Sequence, residues 1–497
     1  MSFTPATTPV AGFWDLNRWS RQIIGLSALL AIAGVGLMVI GAKLPALACL
    51  AAAAGGVILV KPDTATLAMT MILYTNAAGV ATHFHGVPRM AAAGVFLLLV
   101  VPFYHQVVVQ RKEIVIAPGA IFLTLFAIVQ LIGMLLALKS DVATGALITT
   151  VSEGLVFYLL VTNVIRDKTM LRCVLLTLLI AGSCMGALTI AQRIGGDFNN
   201  TFGGFAQVPV DEFAPQPAVF DEPPRAGGPV GEENYYGQFM LMLLPLALTF
   251  ALIDSRQEVR WGAVVAAAII ALAIAFTASR AAAVTGVVMV VAMVAWRLLK
   301  PRHVLVLALA ATVIVLASPQ LRLRMASMAQ LANFARGNSE VRQVDKSTQG
   351  RISEIAAAVL IFADHPITGV GPGNFPSQFL KKADAMGFQI HAEERMAHCA
   401  ILEIAAENGV FGLACIIGIF VVTFRGLSWA RRITTDDELR SLATAMLVVL
   451  IVMMFSSLFL SFAYVRYYWF ILALAAVTAR VAASASVQES SSPAPES

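Results

Sequence analysis

Apolar runs of roughly 20 residues recur along almost the whole chain, and this is the length that an α-helix needs to cross the hydrocarbon core of a bilayer. The composition agrees, because 59% of the 497 residues are hydrophobic and only 13% are charged, whereas soluble domains have about 25% charged residues. Since the runs are continuous rather than alternating, they predict helices and not a β-barrel. The sequence therefore predicts an all-α polytopic membrane protein.

Charged residues and prolines divide the apolar sequence into about fourteen predicted transmembrane helices. Two longer polar segments separate these helices into three groups, and the Ser-, Pro- and Glu-rich C-terminus has the composition of a disordered tail. The predicted segments are an N-terminal segment at 1–22, spans 1–7 at 23–191, a loop at 192–234, spans 8–11 at 235–318, a larger loop at 319–397, spans 12–14 at 398–482 and the tail at 483–497.

Lysine and arginine alternate in density from one side of the predicted membrane to the other. Connections such as 166–172, 256–260 and 425–440 are rich in these residues, whereas most of the opposite short connections carry single charges. Because positive charge is retained in the cytoplasm, we predict that both termini are cytoplasmic and that the loops 192–234 and 319–397 are periplasmic. The net charge of +5 follows from this anchoring charge and requires no nucleic acid partner.

The five cysteines give no signal for a disulfide framework or a zinc site. They lie mostly in apolar runs, and no two of them form a CxxC pair, which is the spacing typical of zinc and redox sites. The sequence therefore predicts no metal and no other cofactor.

The main polar passage of the sequence runs from 351 to 412. It opens with Arg351 at the start of a predicted helix that Pro366 ends. The Gly-rich turn 365–375 follows, where glycine allows backbone N–H groups to approach an anion. A guanidinium matches two phosphate oxygens at once, so Arg351 is a candidate for binding phosphate, whereas most other arginines of the larger loop are expected on solvated faces. The residues expected on the apolar face of this helix are Ile352, Ile355, Ala356, Val359 and Leu360.

His398 begins the next apolar segment, at the outer end of a predicted span and directly after the larger loop. Arg395 lies three residues earlier and would share its helical face if the helix extends back that far. A histidine at such a place can be a structural residue whose hydrogen bonds are satisfied. The alternative is a general base, because an imidazole accepts protons at neutral pH, and the position of His398 favours this second interpretation.

Glu403 and Glu407 follow one turn apart on the same predicted helix. A carboxylate inside a membrane is a functional candidate, since the bilayer disfavours its charge. The alternative is that 398–408 forms an interfacial half-helix broken at Gly409, which would keep both carboxylates in water. Both residues are candidates for a supporting role.

Three further polar residues precede this passage in the chain. Arg280 lies between two apolar helices with almost no connecting loop, where it would be either a snorkelling interfacial anchor or an anion clamp. Arg225 and Asn234 lie at the end of the first loop. Asn234 would be a helix N-cap or, together with Arg225, a supporting part of the same site.

These motifs together resemble the O-antigen ligase and Wzy-type polymerase superfamily of membrane glycosyltransferases. The matching features are an Arg–Gly–Pro–Asn passage at 225–234, a Ser–Arg element at Arg280, and Arg351 with the Gly-rich turn. They end in a histidine, a second residue, nine more residues, and then Gly409 and Gly412. Cys399 departs from the family pattern, which usually has Asn directly after the histidine.

The resemblance implies a GT-C-like, metal-independent, inverting glycosyltransferase in the bacterial inner membrane, with its active site facing the periplasm. Its donor would be a glycan on undecaprenyl pyrophosphate, and the membrane spans would bind the polyprenyl tail. By the same resemblance, Arg280 and Arg351 hold the pyrophosphate and His398 accepts the proton of the attacking hydroxyl. The predicted periplasmic loops contain no Asp-x-Asp pair, in keeping with an enzyme that needs no metal.

Two acceptors are compatible with this resemblance. A ligase would transfer the glycan to lipid A core in lipopolysaccharide biosynthesis, and the histidine motif favours this reading. A polymerase would transfer it to another carrier-linked repeat unit of O-antigen or exopolysaccharide, which the high span count and the second periplasmic loop favour. The alternative from another class is a polytopic transporter, which would explain the spans but not a long arginine-bearing loop that ends in His398.

Overall fold

A computed structural model describes residues 18–39, 43–88, 94–209, 223–317, 322, 346–385, 396–461 and 465–490. Within these residues the chain is α-helical apart from turns, and its β-structure consists of one isolated bridge between Gln207 and Gly228. The prediction of an all-α polytopic membrane protein is confirmed.

The described part of the chain contains eighteen α-helices. In chain order they are α1 (Arg18–Val39), α2 (Lys43–Val60), α3 (Asp63–Tyr74), α4 (Ala77–His85), α5 (Leu97–Tyr104), α6 (Pro118–Leu136), α7 (Ser140–Thr149), α8 (Phe157–Val164), α9 (Lys168–Gly195), α10 (Glu233–Ile253), α11 (Gln257–Thr277), α12 (Arg280–Ala295), α13 (Pro301–Ala317), α14 (Lys346–Asp364), α15 (Phe375–Ala385), α16 (Ala400–Ile433), α17 (Asp437–Ser456) and α18 (Val465–Ser490). Short π-helical segments continue α5 at His105–Val109 and join α7 to α8 at Thr150–Val156.

The chain forms two compact units, residues 1–69 with 96–113 and residues 70–95 with 114–497. In the first unit α1 and α2 pack against each other. In the second unit α10, α17 and α18 are the most deeply buried spans, whereas α11 is mostly exposed. The candidate residues named above all belong to the second unit.

Eight helices in the described part of the chain are long and apolar enough to cross a membrane, with α7 and α8 counted as one. Three shorter apolar helices lie at Gly94–Val109, Arg280–Ala295 and Pro301–Leu316. The predicted number of about fourteen spans therefore stays a prediction. The last helix continues to Ser490, into the segment that was predicted to be a disordered tail.

Side chains directly before several helices explain where those helices begin. Asp167, Glu232 and Asp436 each accept a hydrogen bond from a backbone N–H group in the first turn of α9, α10 and α17, respectively. The N–H groups of a first turn have no partner inside the helix, so such a cap stabilises that end.

The larger predicted loop contains two helices, α14 and α15. α14 begins at Lys346, before the predicted start at Arg351, and ends at Asp364, two residues before Pro366. Three residues of its predicted apolar face, Ile355, Val359 and Leu360, are exposed. The residues that pack α14 against α15 and α16 are Ala357, Ala358, Ile361, Phe375, Phe379 and Ala406.

The end of the second unit where α9 and α17 begin and α10 ends is held by ion pairs, and we call it the staple end. Lys168 Nζ lies 2.6 Å from a carboxylate oxygen of Asp436 and 2.8 Å from one of Glu438. Arg172 pairs with both Asp254 and Glu438. At the opposite end, which we call the site end, α10, α12 and α16 begin, and the described candidate residues lie there.

Candidate active site at the site end

Arg225 is held at the start of α10 by three neighbours. Its Nε donates to the carbonyl oxygen of Thr277 at 2.8 Å, and its Nη2 donates to Oδ1 of Asn234 at 3.2 Å. The guanidinium also forms an ion pair with Glu233. Because Thr277 ends α11, Arg225 ties the segment before α10 to the turn between α11 and α12.

Asn234 is buried in the first turn of α10 and is not its N-cap, so that interpretation of Asn234 was wrong. Glu232 caps the helix, accepting hydrogen bonds from the N–H of Tyr235 and from Nδ2 of Asn234, both at 2.7 Å. Burial raises the pKa of Glu232 above its ordinary value. Oδ1 of Asn234 accepts a hydrogen bond from the Ser279 hydroxyl at 2.9 Å, which connects α10 to the residue before Arg280.

Arg280 is the first residue of α12 and is half-buried. Only Ala278 and Ser279 separate it from α11, as the near absence of a connecting loop predicted. Ser279 is the N-cap and accepts a hydrogen bond from the N–H of Ala282 at 3.3 Å. A helix N-terminus carries partial positive charge, so the guanidinium adds a cation at a place that already favours an anion.

Hydrogen bonds connect the start of α10 to the start of α16 through the residues that follow α17. The Tyr235 hydroxyl bonds to Ser461, and the Ser457 carbonyl oxygen accepts from the N–H of Ala400 at 2.8 Å. Glu403, which is only 4% exposed, lies in the first turn of α16. The Arg225 neighbourhood and the start of α16 therefore belong to one polar network.

His398 lies just before α16 with its backbone in the left-handed region, at φ 44°. The helix begins at Ala400, so His398 is not helical and the predicted helical register between Arg395 and His398 does not reach the histidine. Arg395 itself lies outside the described residues. A positive φ is uncommon for a residue other than glycine, and such conformations cluster at functional sites.

The His398 ring contacts a buried carboxylate. Its Nδ1 lies 2.8 Å from a carboxylate oxygen of Glu354 and 3.2 Å from the carbonyl oxygen of Met396. The His398 side chain is 35% exposed, whereas that of Glu354 is 2% exposed. Since Nδ1 faces the protein, Nε2 is the ring nitrogen left to meet an external group. Arg351 lies three residues before Glu354 on α14, so the two residues lie on the same face of the helix.

Glu407 holds the Gly-rich turn. Its carboxylate accepts hydrogen bonds from the N–H groups of Gly373 at 2.8 Å and of Phe375 at 3.0 Å, and its carbonyl oxygen accepts from the N–H of Gly371. The turn does bring N–H groups to an anion, and that anion is Glu407. Glu403 and Glu407 are 4% and 8% exposed, so the interpretation that both carboxylates stay in water was wrong.

Gly409 makes the break in α16 that admits this turn. Its backbone lies at φ 63° and ψ −167°, a conformation essentially restricted to glycine. A Cβ atom at this position would overlap the carbonyl oxygen of Ile367, and the next N–H, of Val410, donates to the Pro366 carbonyl oxygen at 2.8 Å. The predicted break at Gly409 is therefore present, and its role is to seat the Gly-rich turn against α16.

Cys399 occupies the N-cap position of α16 and makes no side-chain capping bond. It is buried, and burial raises the pKa of its thiol. Asn, which the family usually has here, is among the strongest N-caps. Cys399 therefore occupies, directly beside His398, a position where asparagine or serine would cap the helix.

Residues 265–417 match a family model described as O-antigen ligase. The matched segment includes Arg280, Arg351, the Gly-rich turn and His398. This part of the chain is similar to the O-antigen ligase family. The resemblance read from the sequence is thereby confirmed for residues 265–417, and the described helices are those of a multi-pass membrane protein. No curated protein matches the chain.

Sequence reasoning missed Glu354, Glu232 and Ser279. Glu354 had a usable signal, because it follows Arg351 by three residues on a predicted helix and so lies on the same face. In the part of the chain that the structure describes, no group of three or more His, Cys, Asp or Glu side chains is placed to hold a metal ion. That the protein works without a metal stays a prediction.

Proposed function

We propose that this protein transfers a glycan from undecaprenyl pyrophosphate to an acceptor hydroxyl at the periplasmic face of the bacterial inner membrane. The observation that carries this proposal is the 2.8 Å contact between Nδ1 of His398 and Glu354, one helical turn from Arg351. A metal-independent transfer from a pyrophosphate requires a base, a group that orients the base and a cation that binds phosphate.

In the proposed reaction His398 is the general base. The acceptor oxygen attacks the anomeric carbon of the donor with inversion and forms the new glycosidic bond, while its proton passes to Nε2 of His398. The bond between the anomeric carbon and the pyrophosphate oxygen breaks, and the pyrophosphate leaves with the electron pair. Glu354 is a positioning residue that fixes the ring and stabilises the imidazolium formed. The positive φ of His398 supports a functional reason for this strained placement.

Arg280 and Arg351 are proposed to bind the pyrophosphate and to stabilise the charge that develops on it. Three helices, α10, α12 and α16, begin at the site end, and their partial positive charges favour the same anion. Arg225 and Asn234 support Arg280 by fixing Ser279, which directly precedes it. Glu407 supports the site through the Gly-rich turn, and Glu403 is proposed to support it from its buried place in the first turn of α16. Arg395 is proposed as a supporting cation on its sequence position alone.

Lipid A core is the acceptor that we favour, because the histidine motif at His398 resembles that of the ligases. A polymerase of carrier-linked repeat units would use the same donor and the same base, so the two acceptors are best compared directly. A transporter is the less favoured function, since transport requires no histidine paired with a carboxylate beside a phosphate-binding arginine.

The first experiment uses purified protein in nanodiscs with a polyprenyl pyrophosphate-linked glycan and, separately, lipid A core or a carrier-linked repeat unit. His398→Ala should leave donor binding unchanged and reduce transfer by roughly 10²–10⁴-fold, the usual contribution of a positioned base. His365→Ala, at an exposed histidine of the Gly-rich turn, is the matched control and should transfer normally. Wild-type turnover by His398→Ala would refute the base, and loss of transfer in EDTA would refute the metal-free mechanism.

A second experiment tests the pyrophosphate contacts. Arg280→Lys and Arg351→Lys keep the charge but lose the planar fork, so both should reduce transfer and raise the donor KM at normal membrane levels. Arg432→Lys, at an exposed arginine of the staple end, is the control and should behave as wild type. Normal donor KM values in both site variants would make Arg280 and Arg351 interfacial anchors instead.

The orientation is tested by labelling single cysteines introduced into a cysteine-free chain. A cysteine at exposed His365, beside the proposed site, should react with an impermeant maleimide from the periplasmic side. A cysteine at exposed Arg432 should react only after the membrane is opened. The reverse pattern would place the proposed site in the cytoplasm, where it could not meet a periplasmic acceptor.

A further inference from the structure

A cavity lies at the staple end, far from His398, where α6 begins and α16 and α18 end. Its volume is about 370 Å³, within the range of roughly 300–1,000 Å³ typical of small-molecule pockets. Apolar side chains form most of its walls, among them Pro118, Val422 and Val477. Gly426 of α16 is also part of the wall. A cavity with this lining fits a hydrocarbon chain better than it fits water.

One cation borders the cavity. Arg480 of α18 is held at the wall because its Nη1 donates to the carbonyl oxygen of Thr162 at 2.7 Å and its Nη2 to that of Ile165 at 2.6 Å. A guanidinium has five N–H donors, and these two bonds use two of them. Arg166 lies close enough to interact electrostatically with Arg480. None of the described residues that line the cavity is acidic, so the charge there favours an anion.

The rim of the cavity has the character of a membrane interface. Trp429, which lines the cavity, is 59% exposed, and tryptophan is enriched where the bilayer meets water. Two arginines, Arg431 and Arg432, follow it at the end of α16. The apolar walls therefore lie towards the hydrocarbon, while Arg480 lies at the level of lipid headgroups.

We propose that this cavity binds an anionic phospholipid, with an acyl chain between α6, α16 and α18 and its phosphate beside Arg480. The site is separate from the proposed transfer chemistry and does not depend on it. A lipid that binds only the folded chain at a junction of three helices stabilises the fold by mass action.

The test measures thermal unfolding of delipidated protein in detergent after addition of phosphatidylglycerol, phosphatidylcholine or inorganic phosphate alone. Gly426→Leu fills the cavity, and a Cβ at Gly426 makes only ordinary contact with Ala479 at 3.7 Å, so this variant should fold. Gly262→Leu is the matched control, because the position is exposed on α11 and nothing lies within 4 Å of its added Cβ. Native mass spectrometry counts retained lipid in the same samples.

Phosphatidylglycerol should raise the Tm of the wild type and of Gly262→Leu, and it should remain bound to both in the mass spectrometer. Gly426→Leu should lose at least half of that rise and the bound lipid. An equal rise with phosphatidylcholine would overturn the anionic headgroup, and an equal rise with inorganic phosphate would make the ligand a soluble anion. A full response in Gly426→Leu would place the lipid elsewhere on the protein.

Discussion

Arginines and carboxylates meet at both ends of the unit formed by residues 70–95 and 114–497, but the two ends use them differently. At the staple end, Arg172 is 14% exposed and pairs with Asp254, which is fully buried, and with Glu438. Each of these charges faces another side chain of the protein at short distance. Direct pairing of this kind leaves Arg172 little capacity to bind an external phosphate, so these ion pairs hold the fold together.

At the site end, Arg225 also pairs with an acid, Glu233, but backbone groups and neutral side chains hold much of the polar network. Asn234 joins Arg225 to Ser279, and Glu407 binds backbone N–H groups of the Gly-rich turn. His398 is half-exposed beside a buried carboxylate. Caps and turns of this kind fix the direction of these side chains. The two ends therefore differ in how their charged side chains are held, and not in how many charges they contain.

The largest effect on stability is expected at the staple end. Arg172→Gln leaves Asp254 buried without its partner, and breaking a buried ion pair costs roughly 3–5 kcal/mol. Transfer per folded molecule should stay at the wild-type value, because the change is remote from His398. Unfolding in mixed micelles gives the free energy, with exposed Arg432→Gln as the control. Loss of transfer in the folded fraction of Arg172→Gln would remove the distinction between the two ends.

A smaller effect is expected where a carboxylate holds the Gly-rich turn. Glu407→Gln sets an amide NH2 group against one of the two N–H donors that Glu407 binds, and a buried group left without its hydrogen bond costs roughly 1–3 kcal/mol. Exposed Glu258→Gln on α11 is the matched control and should change the free energy of unfolding by less than about 0.5 kcal/mol. Equal stability of both variants would show that the turn does not depend on Glu407.

The smallest effect concerns the helix cap beside His398. Cys399→Ser is nearly isosteric and places a preferred N-cap at the start of α16, so it should stabilise the protein by about 0.5–1 kcal/mol. The same unfolding measurement checks this gain, with Cys415→Ser in the middle of α16 as the control, where no gain is expected. A loss of stability at position 399 would mean that the packing of the thiol outweighs the cap.

The long apolar helices of this fold could be predicted from the sequence, because each depends on local apolar length. α15, a polar helix within the larger predicted loop, was not predicted. The break in α16 could also be predicted, since Gly409 carries its own conformational signal. The buried face of α14 could not, because Ile355, Val359 and Leu360 are apolar but exposed. In a membrane protein an apolar stripe can face lipid as well as protein, so periodicity does not identify the packed side.

The identity of the candidate base could be predicted, but its surroundings could not. His398 stood out by its position after the larger loop, whereas its contact with Glu354 joins residues far apart in sequence and depends on how α14 docks against α16. The capping role expected of Asn234 belongs to Glu232 for a similar reason, since the exact start of α10 depends on the tertiary contacts of Arg225 and Ser279.

Glu354 is proposed to position His398 for proton transfer. Steady-state kinetics of the Glu354→Gln variant test this role. Folding is checked first by the Tm, and donor binding is measured on the same preparation. We expect kcat to fall at least 10-fold, as part of the roughly 10²–10⁴-fold contribution of a positioned base, while the donor KM stays within about twofold. A folded Glu354→Gln variant with the wild-type kcat would contradict the claim and leave the contact with His398 a structural one.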